Sequence, residues 1–399
     1  MRLGCQFFGL LVAAWPVCTA AAQGQTPCHY TMTEIPNPPG WITRPAGINN
    51  LGHVAGFLVG AGDFYRAFFW SPGTGTVILP LPPGHNDMGC AGLNDFDQIV
   101  GYAATPQGVR SGYIYDFHAS VFTLIAPPSW AHWVEPAAIN NTGMVAGTVS
   151  DTVTGPVHAF RWHAGVMTDL GTDPAFSRTS QATDINESGL VVGHADTFPI
   201  NYRHAFRFDE SVAWLPEPPE IPRGSFANGI SDSGFVAGRG AYPGAHGDGL
   251  IWLPWGTIRV EAPESATFPI AVFSDINSSG RAVGTMYFSS GIFAVAWQGG
   301  VTVPLQDLIF PQPTGRVDAT KGINESGQIA ATISNRGAVL TPRWLAGDLT
   351  GDCHVSIDDL LLVLSNFGRP RGTYPLGDVD LNGEVGLPDL AIILAQWGG

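Results

Sequence analysis

The sequence predicts an all-β protein, a seven-bladed β-propeller of four-stranded blades, followed by a small all-α calcium-binding domain. Three observations predict it. A nine-residue motif recurs seven times at near-constant spacing, each copy is flanked by short strand-like segments, and the last 54 residues switch to a shorter, acidic period.

The motif is Ile48-Asn-Asn-Leu-Gly-His-Val-Ala-Gly56, returning at Leu93, Ile139, Ile185, Ile230, Ile276 and Ile323. The starts are 45, 46, 46, 45, 46 and 47 residues apart. Asn in the second position can bond its own backbone two residues on, and Gly in the fifth accepts positive φ, so each copy reads as a tight hairpin. Ser231 is the one departure at the Asn and Asp97 the one departure at the Gly. Asp is among the few side chains that tolerate the left-handed region. A recurring Asn could in principle form a ring of ligands; a turn built seven times is the simpler reading.

After each hairpin comes a strand ending in a large aromatic, at Trp70, Tyr115, Trp162, Phe208, Trp252 and Trp297. A further apolar segment follows, such as Val121–Ile125 or Val301–Leu305. Four strands per 45 or so residues fit a propeller blade better than a solenoid rung. No segment before residue 346 has helical periodicity. The seventh unit lacks its fourth strand, and Tyr30–Ile35 at the other end supplies one, so the N-terminal strand is expected to close the ring and cover two exposed edges. The aromatic column is expected to form inter-blade core. His158 and His204 are expected to bond neighbouring turns rather than serve as ligands. The non-repeating Trp41, Trp130, Trp133 and Trp255 are the better candidates for gripping a ligand.

Composition narrows the function. Net charge is −15, with Lys321 the sole lysine, which argues against nucleic acid. Residues 1–22 read as a secretory signal, with Arg2, an apolar stretch and Ala20-Ala21-Ala22. No other apolar run approaches the ~20 residues needed to span a bilayer, so a secreted protein is expected. Cleavage would leave Cys28, Cys90 and Cys353, enough for one disulfide and one free thiol. Spacing alone leaves the pairing open. The positions of Cys28 and Cys353 beside the ring seam make them the expected pair.

From Gly347 the period drops to 30. Asp348–Asp359 and Asp378–Asp389 align, each followed by an apolar segment, Leu360–Phe367 and Leu390–Trp397, expected to be helical. Oxygen side chains at positions 1, 3, 5 and 12 with a carbonyl at 7 match the wrapping of one hard cation, so two Ca2+ sites are expected.

Two resemblances follow from these residues. The INxxGxVxG motif with His-Ala-Phe at 158–160 and 204–206, and Val166-Met-Thr-Asp-Leu-Gly171, makes residues 30–345 resemble the extracellular HAF-repeat family of bacteria, which implies export and a propeller but no defined activity. Residues 346–399 resemble a type I dockerin. That resemblance implies Asp348, Thr350, Asp352, His354 (through its carbonyl), Ser356 and Asp359 as first-loop ligands. In the second loop it implies Asp378, Asp380, Asn382, Glu384 (carbonyl) and Asp389. It further implies a cohesin-like or other extracellular protein partner. Cys353 replaces the Gly that Gly383 supplies in loop two, so loop one is expected to bind more weakly. Ile357–Asp358 and Leu387–Pro388 stand where small hydroxylated recognition residues are usual, which counts against a standard cohesin.

No HExxH, GxSxG or phosphate loop is present, and no catalytic residue is assigned. A non-enzymatic binding propeller with an unknown ligand, attached through its calcium module, is therefore preferred. The alternative is a secreted hydrolase acting on glycans, since dockerin-like modules accompany such enzymes. The calcium reading has a direct check. Residues 346–399 bury too little to fold without metal, so their far-UV circular dichroism should lose helix on adding EGTA. Unchanged helix would refute the assignment.

Overall fold

The computed structural model describes residues 29–60, 65–150, 157–170, 176–197, 202–219, 224–241, 247–262, 270–288, 291–343, 347–349, 355–368, 377, 379 and 384–397. The signal segment 1–22, Cys28 and Cys353 lie outside them.

Each hairpin motif sits between two antiparallel strands, as its residues dictate. In the first copy the Asn49 carbonyl accepts from Gly52 N–H at 3.0 Å, and the side-chain Oδ1 of Asn49 accepts from Leu51 and His53 N–H at 3.1 and 2.9 Å. Gly52 has φ 76° and Asp97, its counterpart in the second copy, 56°. The aromatic strand pairs with the outgoing arm of the hairpin, and the short fourth strand pairs with the aromatic one. Trp41–Ile48, Val54–Gly60, Tyr65–Ser71 and Gly75–Ile78 thus form one four-stranded antiparallel sheet.

Five sheets have four strands. A sixth has nine, and its two halves, from the second and third motifs, are joined by a single parallel bridge between Arg110 and Trp133. The last sheet takes its outermost strand from the other end of the chain: His29–Ile35 pairs with Arg336–Arg343 in unbroken register, His29 opposite Arg343 and Ile35 opposite Gly337. The expected closure is therefore present, and the architecture is that of a mostly-β, propeller-type ring.

The core lies between sheets. Ile35, Val54, Phe68 and Trp70 pack with Ala330 and Val339 across the seam, and Ala55 and Phe69 pack with Met88, Ile99 and Tyr113 in the next gap. Trp70, Tyr115, Trp252 and Trp297 are buried in such clusters, as expected of the aromatic column; Trp162 and Phe208 are only partly buried. One helical turn, Leu305–Leu308, interrupts the otherwise all-β region, where no helix was expected.

In most units the inner strand carries a β-bulge one or two residues before the motif, for example between Ala182 and Asp184 and between Phe273 and Asp275. A bulge re-aims one side chain. Here it brings Asp184 and Asp275 to the wall of the axial cavity.

Toward the C-terminus, helices Ile357–Asn366 and Leu387–Ala395 pack through Val355, Val363, Val385 and Ile393. Both begin three residues earlier than their apolar periodicity indicates. The Asp at position 12 of each loop accepts N–H bonds from the residues that start the helix, Ser356 to Asp359 at 2.8 Å and Gly386 to Asp389 at 2.7 Å.

Candidate functional site

The repeated Asn does more than make a turn. Its Nδ2 donates across the gap to the backbone carbonyl of the next motif's second residue: Asn49 to Asn94 (2.9 Å), Asn94 to Asn140 (3.0 Å), Asn140 to Asn186 (3.0 Å) and Asn186 to Ser231 (3.2 Å). Asn277 reaches Asn324 at 3.0 Å, and Asn324 reaches back to Asn49 at 2.9 Å, closing the circle. Ser231 is too short for its step. There Asn228, on the inner strand, donates instead to the Phe273 carbonyl at 2.7 Å.

A second series runs through the third motif position, broken only between Asp232 and Ser278, where Ser233 N–H donates to Ser278 Oγ at 3.2 Å instead. Asn50 N–H donates to Asp95, Asp95 N–H to Asn141, Asn141 N–H to Glu187, Glu187 N–H to Asp232, Ser278 N–H to Glu325 and Glu325 N–H to Asn50, all within 3.2 Å. Four carboxylates thus ring one mouth of an axial cavity of about 140 Å3. Each accepts a backbone N–H, and burial raises the pKa of Glu187 and Glu325.

A second cavity of about 180 Å3 shares Ile48, Leu93, Ile139, Asp184 and Asp275 with the first and adds the lone Lys321. Asp184 accepts from Ile185 and Ile230 N–H, both at 2.8 Å; Asp275 accepts from Ile276 (2.8 Å) and Ile323 (2.9 Å). Each carboxylate stitches its own sheet to the next. Burial pushes Asp184 up to about 7, against the pull of its two N–H donors. Burial and then the Asp184 charge push Asp275 well above the ordinary range.

The two histidines each bond a carboxylate rather than a neighbouring turn. His158 Nδ1 pairs with Asp169 at 3.0 Å and His204 Nδ1 with Glu217 at 2.8 Å, each within its own unit. In the next unit the polarity is swapped: Asp248 stands in the histidine's place and takes Arg259 at 2.6 Å.

A roomier concavity than either axial one lies between units, outside the axis. A groove of about 680 Å3 is lined by Leu124, Pro128, Trp130, Trp162, Met167 and Asp169, with smaller residues between. Its size and mostly apolar lining with few polar groups suit a small ligand. Of the four non-repeating tryptophans, Trp130 (45 % exposed) lines this groove and Trp255 (75 % exposed) stands edge-on to Phe235. Trp41 packs on the seam core and Trp133 is half-buried at the bridge to Arg110, so those two do not offer a free face.

Of the expected calcium ligands, Thr350, Asp352, His354, Asp378, Asp380 and Asn382 lie outside the described residues. Asp359 and Asp389 are buried and equivalent, each also accepting the N–H of the second loop residue, Leu349 at 2.7 Å and Val379 at 2.6 Å. Asp348 is buried too, while Ser356 and Glu384 are more open. Among the described residues no three His, Cys, Asp or Glu side chains gather at metal-holding distance. The described donors are all oxygen, the donor type a hard cation prefers. Cys90 is a free thiol, raised to about 12 by burial.

No family model matches the chain, and no curated protein matches it. Among solved structures, the β-propeller domain of the trilobed protease from Pyrococcus furiosus is similar at TM-score 0.49 and 12 % identity, covering 67 % of this chain and 84 % of that one. Virginiamycin B lyase from Staphylococcus aureus is similar at 0.46 and 10 %, covering 78 % and 98 %. TolB from Acinetobacter baumannii is similar at 0.43 and 12 %, covering 73 % and 64 %. No described helix is long and apolar enough to cross a membrane.

Two outcomes are expected from the axis. Asn140→Ala removes a donor and strands two backbone N–H groups, costing about 2–4 kcal/mol; Asn140→Ser, which keeps the acceptor as Ser231 does, should cost less in a denaturant titration. A carboxyl whose folded pKa is raised stabilises below its unfolded pKa and loses that contribution as pH rises to the folded one. Stability should therefore fall from about pH 4 to pH 7, and Asp184→Asn should flatten that slope; an unchanged slope would contradict the burial of this charge.

Proposed function

We infer that the chain is a secreted, non-catalytic binding protein. The nine-stranded sheet divides at its single bridge into two blades, which makes seven in all, of the HAF-repeat kind. Residues 346–399 are a dockerin-like module that folds around two Ca2+ ions and attaches the propeller to an extracellular protein partner. Asp348, Asp359 and Asp389, with the loop residues named above, would hold the ions. Calcium supplies the positive charge that lets these carboxylates be buried.

The observation that carries the binding reading is the groove between the second and third units. Two indole rings line it, exposed Trp130 and partly buried Trp162, side chains suited to stacking on the C–H face of a pyranose. Asp169, held by His158, adds a carboxylate that can accept from sugar hydroxyls. The glycan-hydrolase reading is weaker on the same ground. It needs a free acid and a free base beside the substrate, whereas the carboxylates that converge on the axis each hold backbone N–H groups of the ring.

Titration of the intact protein with neutral oligosaccharides should change tryptophan fluorescence. Trp130→Ala should weaken that binding about tenfold, the loss expected for one stacked aromatic with its buried area. A fluorescence response that Trp130→Ala leaves intact would remove the groove from consideration, and release of reducing ends would favour the hydrolase.

A further inference from the structure

The register of the repeats allows one gap between units to be compared with another, residue by residue. In the gap between the second and third units, Arg110 lies over the Tyr102 ring at 4.7 Å and is neutralised by Glu135 across the gap. The gap between the fourth and fifth units has the same backbone. The parallel bridge Arg110–Trp133 is matched by Arg203–Gly224, and the pair Glu135–Thr148 by Phe226–Arg239. Arg203 therefore occupies the place of Arg110 and His194 that of Tyr102. Phe226 stands where the neutralising Glu135 would be, and Arg239 replaces a threonine.

The result is an island of positive charge in a protein of net charge −15. Arg239 lies 4.2 Å from the Phe226 ring centre and Arg203 5.9 Å from it. Arg203 pairs with Asp196 at 3.2 Å, whose other carboxylate oxygen accepts from Thr179 at 2.7 Å, so there is one acid for the two arginines. Among the described residues, the Arg239 side chain makes no hydrogen bond or ion pair. At the base His194 is 8 % exposed, its ring 4.8 Å from Phe226, and its Nδ1 has no hydrogen-bond partner. A buried polar atom without a partner calls for one that the chain itself does not provide. Arg203, 45 % exposed, leaves the entrance open.

We propose that this gap is an anion site for the carboxylate group of a small extracellular ligand, held by Arg203 and Arg239 over Phe226, with His194 Nδ1–H donating from below. The guanidinium fork matches a planar carboxylate through paired N–H donors. Burial, with the two arginines beside it, lowers His194 to about 4, so at neutral pH the imidazole is uncharged and can place a proton on Nδ1. Burial and the Arg203 charge also lower Arg239, whose own cation, unlike Arg203 with Asp196, pairs with no acid among the described residues.

The test is calorimetric titration of the intact protein with glucuronate and with N-acetylglycine, using glucose as the neutral control, alongside the nitrogen resonances of His194. At least one carboxylate should bind and shift the Nδ1 resonance while glucose does neither. The tighter of the two tells an acidic sugar from a peptide terminus. Arg239→Gln should weaken binding at least about tenfold, as loss of a charged hydrogen-bond donor does. Phe226→Glu, which installs the acid that the other gap carries, should abolish it. Arg110→Gln, in the neutralised gap, should change nothing. Absence of binding by both carboxylates, or binding that survives both Arg239→Gln and Phe226→Glu, would overturn the proposal.

Discussion

The structure depends on one side chain used twice. The carboxamide of each motif Asn accepts from its own turn through Oδ1 and donates to the neighbouring motif through Nδ2. A turn and its neighbour are thus locked by the same residue, and the Nδ2 half of the bond set cannot be satisfied in an isolated unit. Sheets that share only apolar faces could slide on one another, since hydrophobic contact has no direction. The amide clasp fixes the spacing, and the closing step from Asn324 to Asn49 makes that spacing a property of the whole circle.

The turn half of this arrangement was legible in the sequence; the clasp half was not, although a signal for it existed. Asp makes the same turn as Asn and fills the next position twice, yet it never fills the second position of the motif. A site that takes Asn six times and Asp never is asking for a donor as well as an acceptor. The third position tells the same story in reverse. Asn, Asp, Glu and Ser alternate there, and the property they share is a side-chain oxygen for the previous unit's N–H. Strand order and ring closure followed from counting segments, because each segment has its own apolar pattern. The groove beside Trp130 could not be counted out, because its walls meet only once Leu124 and Met167, forty-odd residues apart in different units, are brought face to face.

Repetition also clarifies which residues are special. Against a constant backbone, Asp184 and Asp275 stand where Gly47, Gly92, Gly229 and Gly322 occupy the same step before the motif. Glycine there leaves the wall of the cavity bare; the two acids fill it and cap the N–H groups of two sheets each. Those fixed donors offset only part of the cost of burial, and both carboxyls hold their protons above the ordinary range. Likewise the exchange of His158–Asp169 for Asp248–Arg259 preserves a bonded pair of side chains while inverting its ends, which marks that position as one where pairing matters.

Closure by the N-terminal strand has a mechanical side. Arg336–Arg343 is an interior strand, with Ile329–Ile333 on one flank and His29–Ile35 on the other. Any pull on the chain beyond residue 343 enters the ring through that strand, and two ladders must yield together before it leaves. An edge strand would unzip one rung at a time under a far smaller force. The borrowed first strand therefore works as a fastener for whatever hangs from the far end of the polypeptide.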